Sequence, residues 1–480
     1  MTEISDNAGY VDYPVADLLA VVDPAHELRP CGLQRLLLGS GAVGAVTGTV
    51  TDLLGSSGPD VRVVVLTDAV EMTRNGGDLK AQICAELAER FDVHQVVLDD
   101  GHPELHVVDA IIADAVTGID GAAAVVAVGG GTISDIAKLA MAQTRAPLVT
   151  VQTAASVDGY TDDVSVLLRD GVKRTVPSRW PDAVIGDAVA IAEAPTAMNR
   201  AGFGEMTSML TAPADWRLAD LVGVDGSFRE GPIRLLDMVG SDLEKWAPGV
   251  AVAEPKAVAA LTRALALRGI ATGIAGTTAV LSGIEHLVSH MLDAHHAAAG
   301  APIGLHGAQV GAGALVAAAS WEMLVDRLAA HPGVRPQAAA LDADAGRARV
   351  EKAFAHLGSD IAAECWSDYS RKLATVGAAM PQLSDMVRDW DEHEPDLRRL
   401  VRPSAVIGAA LHSAGAATGP ADLNPRVDDD LWRWAVTNCA LMRNRFTVVD
   451  LLTVLGWWTP ADVDEVLARS AAAVPAGAVR

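Results

Sequence analysis

The 480-residue chain has only four cysteines, Cys31, Cys84, Cys365 and Cys439, and no two are spaced as CxxC. That excludes a zinc-ribbon or disulfide framework and reads as reduced thiols in a cytoplasmic protein. Apolar stretches are broken by charge, glycine or proline before about 20 residues, so neither a transmembrane span nor membrane insertion is expected. The opening Met1-Thr-Glu-Ile-Ser-Asp lacks the basic and apolar regions of a signal peptide. Positive charge is also short: 37 Lys and Arg stand against 61 Asp and Glu, a formal net charge of −24. Such a surface repels nucleic acid and anionic membranes, and no nucleic-acid partner is expected. The small basic groups at Lys173–Arg179 and Arg398–Arg402 read as solvated loops, with phosphate binding as the alternative for the first.

What is present points to a large two-part protein. The length suits two or three domains, and half the residues are hydrophobic. Residues 1–34 lack strong periodicity and read as an N-terminal extension. Residues 35–194 alternate short apolar runs with helical patterns. Leu36–Gly39, Val61–Thr67, Gln95–Leu98, Val125–Val128 and Leu148–Val151 read as strands, and Gly41–Leu54, Leu79–Phe91 and His106–Thr117 as helices. This predicts an α/β domain built on a doubly wound, mostly parallel sheet. Ligands then belong at the carboxyl ends of the strands, where Asp68, Gly129–Gly131 and Thr153–Asp158 fall. From 195 to 480 only helical patterns remain, Ala201–Val222 and Trp432–Leu455 among them, and an all-α domain is expected. The stretch Ala330–Arg349 reads as a surface insertion.

Two constellations carry chemistry. In Val125-Val-Ala-Val-Gly-Gly-Gly-Thr-Ile-Ser-Asp-Ile-Ala-Lys138 a buried strand runs through three glycines into a helix. Glycine lets a ligand approach the bare main chain, and a helix N-terminus offers unpaired N–H groups to a phosphate. In the helical half, Glu205, His286 or His290, and His306 offer one carboxylate and two imidazoles. That set suits a divalent ion with positions left open to water or substrate. His286 and His290 lie one turn apart on one helix, so either serves as ligand with the other behind it.

These segments resemble the sn-glycerol-1-phosphate dehydrogenases, including the bacterial AraM type. That family shares a superfamily with iron-containing alcohol dehydrogenases, glycerol dehydrogenase and dehydroquinate synthase. Carrying the resemblance, besides the glycine turn, are Val151-Gln-Thr-Ala-Ala-Ser-Val-Asp-Gly159, Ala201-Gly-Phe-Gly-Glu205, Asp215-Trp-Arg-Leu-Ala219, Ser282-Gly-Ile-Glu-His-Leu-Val-Ser-His290, Leu305-His-Gly-Ala-Gln-Val-Gly311 and Arg443-Asn-Arg-Phe-Thr-Val-Val-Asp450. It implies a dehydroquinate synthase-like fold, NAD(H) or NADP(H) as cofactor, and one divalent metal, zinc foremost with nickel or iron as alternatives. A small, phosphorylated substrate and a homodimer are further expectations from it. The implied cofactor-binding residues are Asp68, Gly129, Gly130, Gly131, Ser134, Asp135, Thr153 and Ser156. The implied metal ligands are Glu205, His286 and His306, with Asp158 and His290 at the substrate. The implied reaction reduces dihydroxyacetone phosphate to glycerol 1-phosphate.

The chain departs from that family's pattern inside the site. Glu205 stands where the family has aspartate, Met209 where it usually has lysine, Val157 where it has histidine, and Ala308 where it has glutamate. A glutamate at the metal is the choice of dehydroquinate synthase-like relatives. A lyase or cyclase with transient NAD oxidation is therefore the alternative, and a degenerate homologue without turnover is the third.

Overall fold

The computed structural model describes residues 9–102, 104–169 and 172–476. The acidic opening segment and the side chain of Lys173 lie outside the described residues. The chain divides into two compact units, Met1–Gly202 with Arg234–Gly276, and Phe203–Ile233 with Thr277–Arg480.

The first unit is built on a seven-stranded sheet. Its strands in chain order are β1 (Tyr10–Tyr13), β2 (Arg35–Gly39), β3 (Gly58–Asp68), β6 (Phe91–Leu98), β7 (Ala124–Gly129), β8 (Leu148–Gln152) and β11 (Ala183–Asp187). The spatial order is β1-β2-β11-β8-β7-β3-β6, all parallel except the antiparallel edge pair β1–β2. The two remaining pairs are short antiparallel ribbons, β4 (Thr73–Arg74) with β5 (Gly77–Asp78) and β9 (Val164–Arg169) with β10 (Val172–Pro177).

The valine-rich strands explain this arrangement, because a parallel sheet is buried on both faces. Val63, Val65, Val126, Val128, Val149 and Ile185 pack on one face against Val46, Leu79, Ile83 and Leu87. Val64, Leu66, Val125, Ala127 and Leu148 face the other way, onto Ile111, Ile133, Ile136 and Ala137. The alternation along each strand sends successive side chains to opposite cores.

Several expectations need correction. The segment read as an N-terminal extension supplies β1, whose Tyr10–Tyr13 pairs with Gly39–Leu36, and the helix Val15–Val22. The basic stretch from Lys173 is not wholly a loop, because β10 runs to Pro177. Helices past residue 195 do not all join the second unit, since Leu243–Ala251 and Pro255–Ala275 belong with the sheet. Gly186 shows why: a Cβ there would lie 2.8 Å from Leu38 and 2.9 Å from Thr262, so the bare strand seats the helix.

The second unit is helical. Its longest helix, His306–Ala330, packs on Ile284–Ala298, and at their contact a Cβ on Gly313 would lie 2.8 Å from the Glu285 carbonyl oxygen. By length and composition Pro255–Ala275, in the first unit, and His306–Ala330, in the second, could cross a membrane, but 83% of each apolar window is buried inside the structure, as in core helices. Trp432–Leu455, expected as one helix, is three pieces: Asp429–Asn438, a single turn Cys439–Leu441, and Val448–Val454. The break is chemical, because Asp450 turns back to accept from the Thr447 N–H at 2.9 Å and caps a new helix. In the expected insertion the helix Ala343–Phe354 begins, and Gln337 N–H donates to the Val454 carbonyl at 2.8 Å.

Candidate dinucleotide and metal sites

In the first unit β7 ends at Gly129 and a helix, Gly131–Ala140, begins two residues later. The three glycines have different reasons. A Cβ on Gly129 would lie 2.6 Å from Ile133, so that position is closed by the protein itself. A Cβ on Gly131 would meet the Val157 side chain at 2.9 Å. At Gly130 the nearest atom would be the Tyr160 hydroxyl, 4.0 Å away. Nothing in the unit demands glycine at 130; the bare backbone there faces open space beside a helix N-terminus. Ser134, in the first turns of that helix, is 1% exposed, and its hydroxyl has no hydrogen-bond partner among the described residues.

The loop after β8 is held from several sides. Thr153 N–H donates to the Gly129 carbonyl at 3.2 Å, and Ala155 N–H donates to Asn199 Oδ1 at 3.1 Å. Thr153 and Ser156 are both buried. Asp158 is engaged by a partner sequence reasoning missed: Arg268, wholly buried, donates from Nη2 at 3.0 Å and from Nε at 3.2 Å to Asp158 Oδ2. Asp68 closes β3, and its Oδ1 lies 3.0 Å from Lys80 Nζ, which also donates to the Asp68 and Val70 carbonyls. Asp135 accepts from Val166 N–H at 3.2 Å and lies 3.5 Å from Lys138 Nζ, so it braces the β9 ribbon. Burial pushes the Asp135 carboxyl up against the pull of Lys138. Lys138 is itself fully buried and clasps Asp162 Oδ1 and the Gly159 carbonyl, each at 2.7 Å. Burial, opposed by that cation, sets the Asp162 carboxyl up at about 6.

In the second unit Glu205, His286 and His306 come together, with ligand atoms all within 4.8 Å of one another. Their approach is made by glycine. A Cβ on Gly204 would lie 2.2 Å from the Gly307 carbonyl oxygen, so only bare backbone lets these segments touch. Glu205 Oε1 is 3.2 Å from His286 Nε2, and Oε2 is 3.6 Å from His306 Nε2. Donors on one tetrahedral ion at ~2.0–2.2 Å stand about 3.3 Å apart, so the spacing fits a divalent cation. His290 lies one turn on, its ring stacked 5.7 Å from that of His306 and outside the three-donor cluster.

The imidazoles are oriented from behind. His286 Nδ1 is 3.0 Å from Glu285 Oε1, and His306 Nδ1 is 2.9 Å from Ser289 Oγ. Ser289 donates its own proton to Gln309 Oε1 at 2.6 Å, so it accepts from His306 Nδ1–H. Both rings thereby turn Nε2 toward Glu205, the arrangement metal-bound histidines use. Burial disfavours charge on His286, but Glu205 and Glu285 outweigh it and hold the imidazole up at about 9. Glu285 is fixed in turn by Thr211 Oγ1 at 3.2 Å and Gly283 N–H at 2.5 Å. Neighbouring Asp215, raised well above the carboxylate range by burial and then by Glu285, accepts from Ile284 and Val448 N–H groups. Glu285, Ser289 and Gln309 lie within the recognised segments, but nothing in their spacing announces these roles. Met209 is buried one turn past Glu205, and Ala308 is half-buried beside His306.

Comparison with known proteins gives first a class. A sequence model described as iron-containing alcohol dehydrogenase matches residues 40–195. The crystal structure of a probable glycerol dehydrogenase from Sinorhizobium meliloti 1021 superimposes with a TM-score of 0.53 at 19% identity, covering 90% of this chain and 95% of that one. The chain therefore has the fold of the iron-containing alcohol dehydrogenases. Among curated relatives, a glycerol-1-phosphate dehydrogenase [NAD(P)+] of Pyrococcus furiosus is 34% identical over 48% of this chain and 64% of its own length. Its counterpart from Methanothrix thermoacetophila is 30% identical over 62% of this chain and 80% of its own length. On that extent of likeness the chain belongs to the glycerol-1-phosphate dehydrogenase family.

Proposed function

We propose that this protein is an NAD(P)-dependent, divalent-metal-dependent reductase of a small keto compound, with dihydroxyacetone phosphate as substrate and glycerol 1-phosphate as product. The observation that carries the reading is the Glu205, His286 and His306 donor set, with both imidazoles presented through Nε2. When bound, a divalent ion, zinc foremost, supplies Lewis-acid polarisation of the substrate carbonyl. The chain's own residues do the rest. Gly130 and the N–H groups at the start of Gly131–Ala140 receive the dinucleotide diphosphate, with Gly129, Gly131, Ser134, Thr153 and Ser156 shaping the floor. Asp68, neutralised in part by Lys80, stands for the ribose, and Asp135 braces the helix. Asp158 and His290 are assigned to the substrate hydroxyls. Held on those residues, the dihydronicotinamide would supply a hydride to the carbonyl carbon, and solvent would supply the proton of the new hydroxyl.

Glu205, Met209, Val157 and Ala308 mark where the substrate pocket departs from the family pattern. They keep open a second reading, a cyclase-type reaction in which NAD is oxidised and re-reduced within one turnover. The test mixes metal-analysed protein with NADH or NADPH and dihydroxyacetone phosphate and follows the nicotinamide absorbance. Metal-dependent oxidation supports the reductase. No oxidation by protein that holds metal and cofactor overturns it and favours the internal-redox reading.

A further inference from the structure

Away from Glu205 the second unit gathers a separate set of imidazoles at the far end of the Ile284–Ala298 helix. His295, in the last turn of that helix, brings Nδ1 to 3.4 Å from Nε2 of His356, which lies in the short turn Ala355–Leu357. That is longer than the ~2.7–3.2 Å of an ordinary N–H hydrogen bond. It matches the roughly 3.3 Å between two nitrogens that share one tetrahedral ion at ~2.0–2.1 Å. Trp434 walls the pair, its ring centroid 4.8 Å from that of His356 and 6.1 Å from that of His295, and its indole N–H is fixed on the Ala353 carbonyl at 2.9 Å. His296 packs beside His295 at 5.8 Å and is 6% exposed, with its Nδ1 lacking any partner among the described residues.

We propose that His295 and His356 form a second transition-metal site, taking Zn2+, Ni2+ or Cu2+ through two neutral imidazoles with water completing the shell. Imidazole ligands suit these ions, and two of them make a weaker site than the three donors around Glu205. Burial and the neighbouring imidazole ring lower the affinity of His356 for protons, and burial and then His296 do so for His295 against the pull of Asp428. Both rings thus keep lone pairs available near neutral pH. An ion here ties the end of the Ile284–Ala298 helix to the turn before Ser359. His286 lies nine residues earlier on that helix, about 13 Å along its axis, so the two ions occupy separate places.

The inference does not rest on the reductase reading, and its test does not use activity. Tag-free protein is stripped with chelator and titrated with Zn2+ alone by calorimetry, with bound metal counted after dialysis. Two equivalents are expected in the wild type. His295→Gln and His356→Gln should each lose the weaker equivalent and keep the tighter one, while His286→Gln should do the reverse. His356 is exposed, so its substitution leaves the buried core intact and removes only the ring's contacts with Trp434 and His295. Retention of every wild-type equivalent in both His295→Gln and His356→Gln overturns the proposal. Survival of that kind would place the ion on other donors, such as the partly exposed Cys31 and Cys84.

Discussion

The hydroxyl of Ser289 lies 2.9 Å from Nδ1 of His306 and donates a hydrogen bond to Gln309 Oε1 at 2.6 Å. This relay fixes which nitrogen of His306 is bare, so it governs the cluster without joining it. Ser289→Ala should leave the three donors in place and weaken metal affinity about 10–100-fold, as loss of such outer partners does. Competition against a chelator measures this. Affinity equal to wild type would mean that His306 is held by packing alone.

The pH behaviour of the metal-free protein follows from His286. Its folded value of about 9 lies above the ordinary 6.5. The stabilisation from the protonated ring is therefore fully present below about pH 6.5 and lost as pH rises through about 9. A metal ion must displace the Nε2 proton, so uptake at pH 7 should release close to one proton from this ring. Apparent affinity should rise with pH and flatten above about 9. Calorimetry in buffers of different ionisation enthalpy counts the protons; none released would remove His286 from the ligand set.

The glycine turn yields a contrast between neighbours. Gly130 has φ −76° and ψ −171°, ordinary extended backbone, and nothing within 4.0 Å of a Cβ except the Tyr160 hydroxyl. Gly130→Val should leave the melting temperature nearly unchanged and sharply weaken NAD(P)H binding. Gly129→Ala forces a carbon to 2.6 Å from Ile133 and should cost about 1–3 kcal/mol of stability. Equal dinucleotide affinity in Gly130→Val would refute the diphosphate assignment.

Asp158 stands beside a guanidinium with no exposed side-chain surface. Asp158→Ala removes the carboxylate from that buried cation and should cost up to roughly 3 kcal/mol. Asp158→Asn keeps an acceptor for Arg268, so it should fold with a smaller loss while kcat falls. If kcat in Asp158→Asn equals wild type, Asp158 serves the fold and not the substrate.

Much of the architecture was readable because its causes are local. Runs such as Val61–Thr67 and Val125–Val128 suit a strand buried on two faces, and each appears within a residue or a few of its expected bounds. The antiparallel β1 was not readable. Tyr10–Tyr13 has no apolar alternation, and its strand state comes from the open edge of β2. Trp432–Leu455 looked like one helix because helical periodicity is insensitive to the turn that Arg445 and Asp450 impose by reaching Ser282 and Thr447.

The sequence by itself determined the donor types and the glycine turn, since each rests on residue chemistry at short spacing, but not the return of Arg234–Gly276 to the sheet unit. The residue pattern left His286 and His290 open and the resemblance implied His286, which the tertiary structure brings within 4.8 Å of the other two donors. The tertiary structure alone brought Arg268 to Asp158 and Lys80 to Asp68, and gave Glu285 and Ser289 their imidazoles. The reason is physical: a hydrogen-bond partner more than a hundred residues away, as Arg268 is from Asp158, is chosen by which helix surfaces pack. At Gly186, Gly204 and Gly313 that packing depends on backbones that meet where no side chain intervenes.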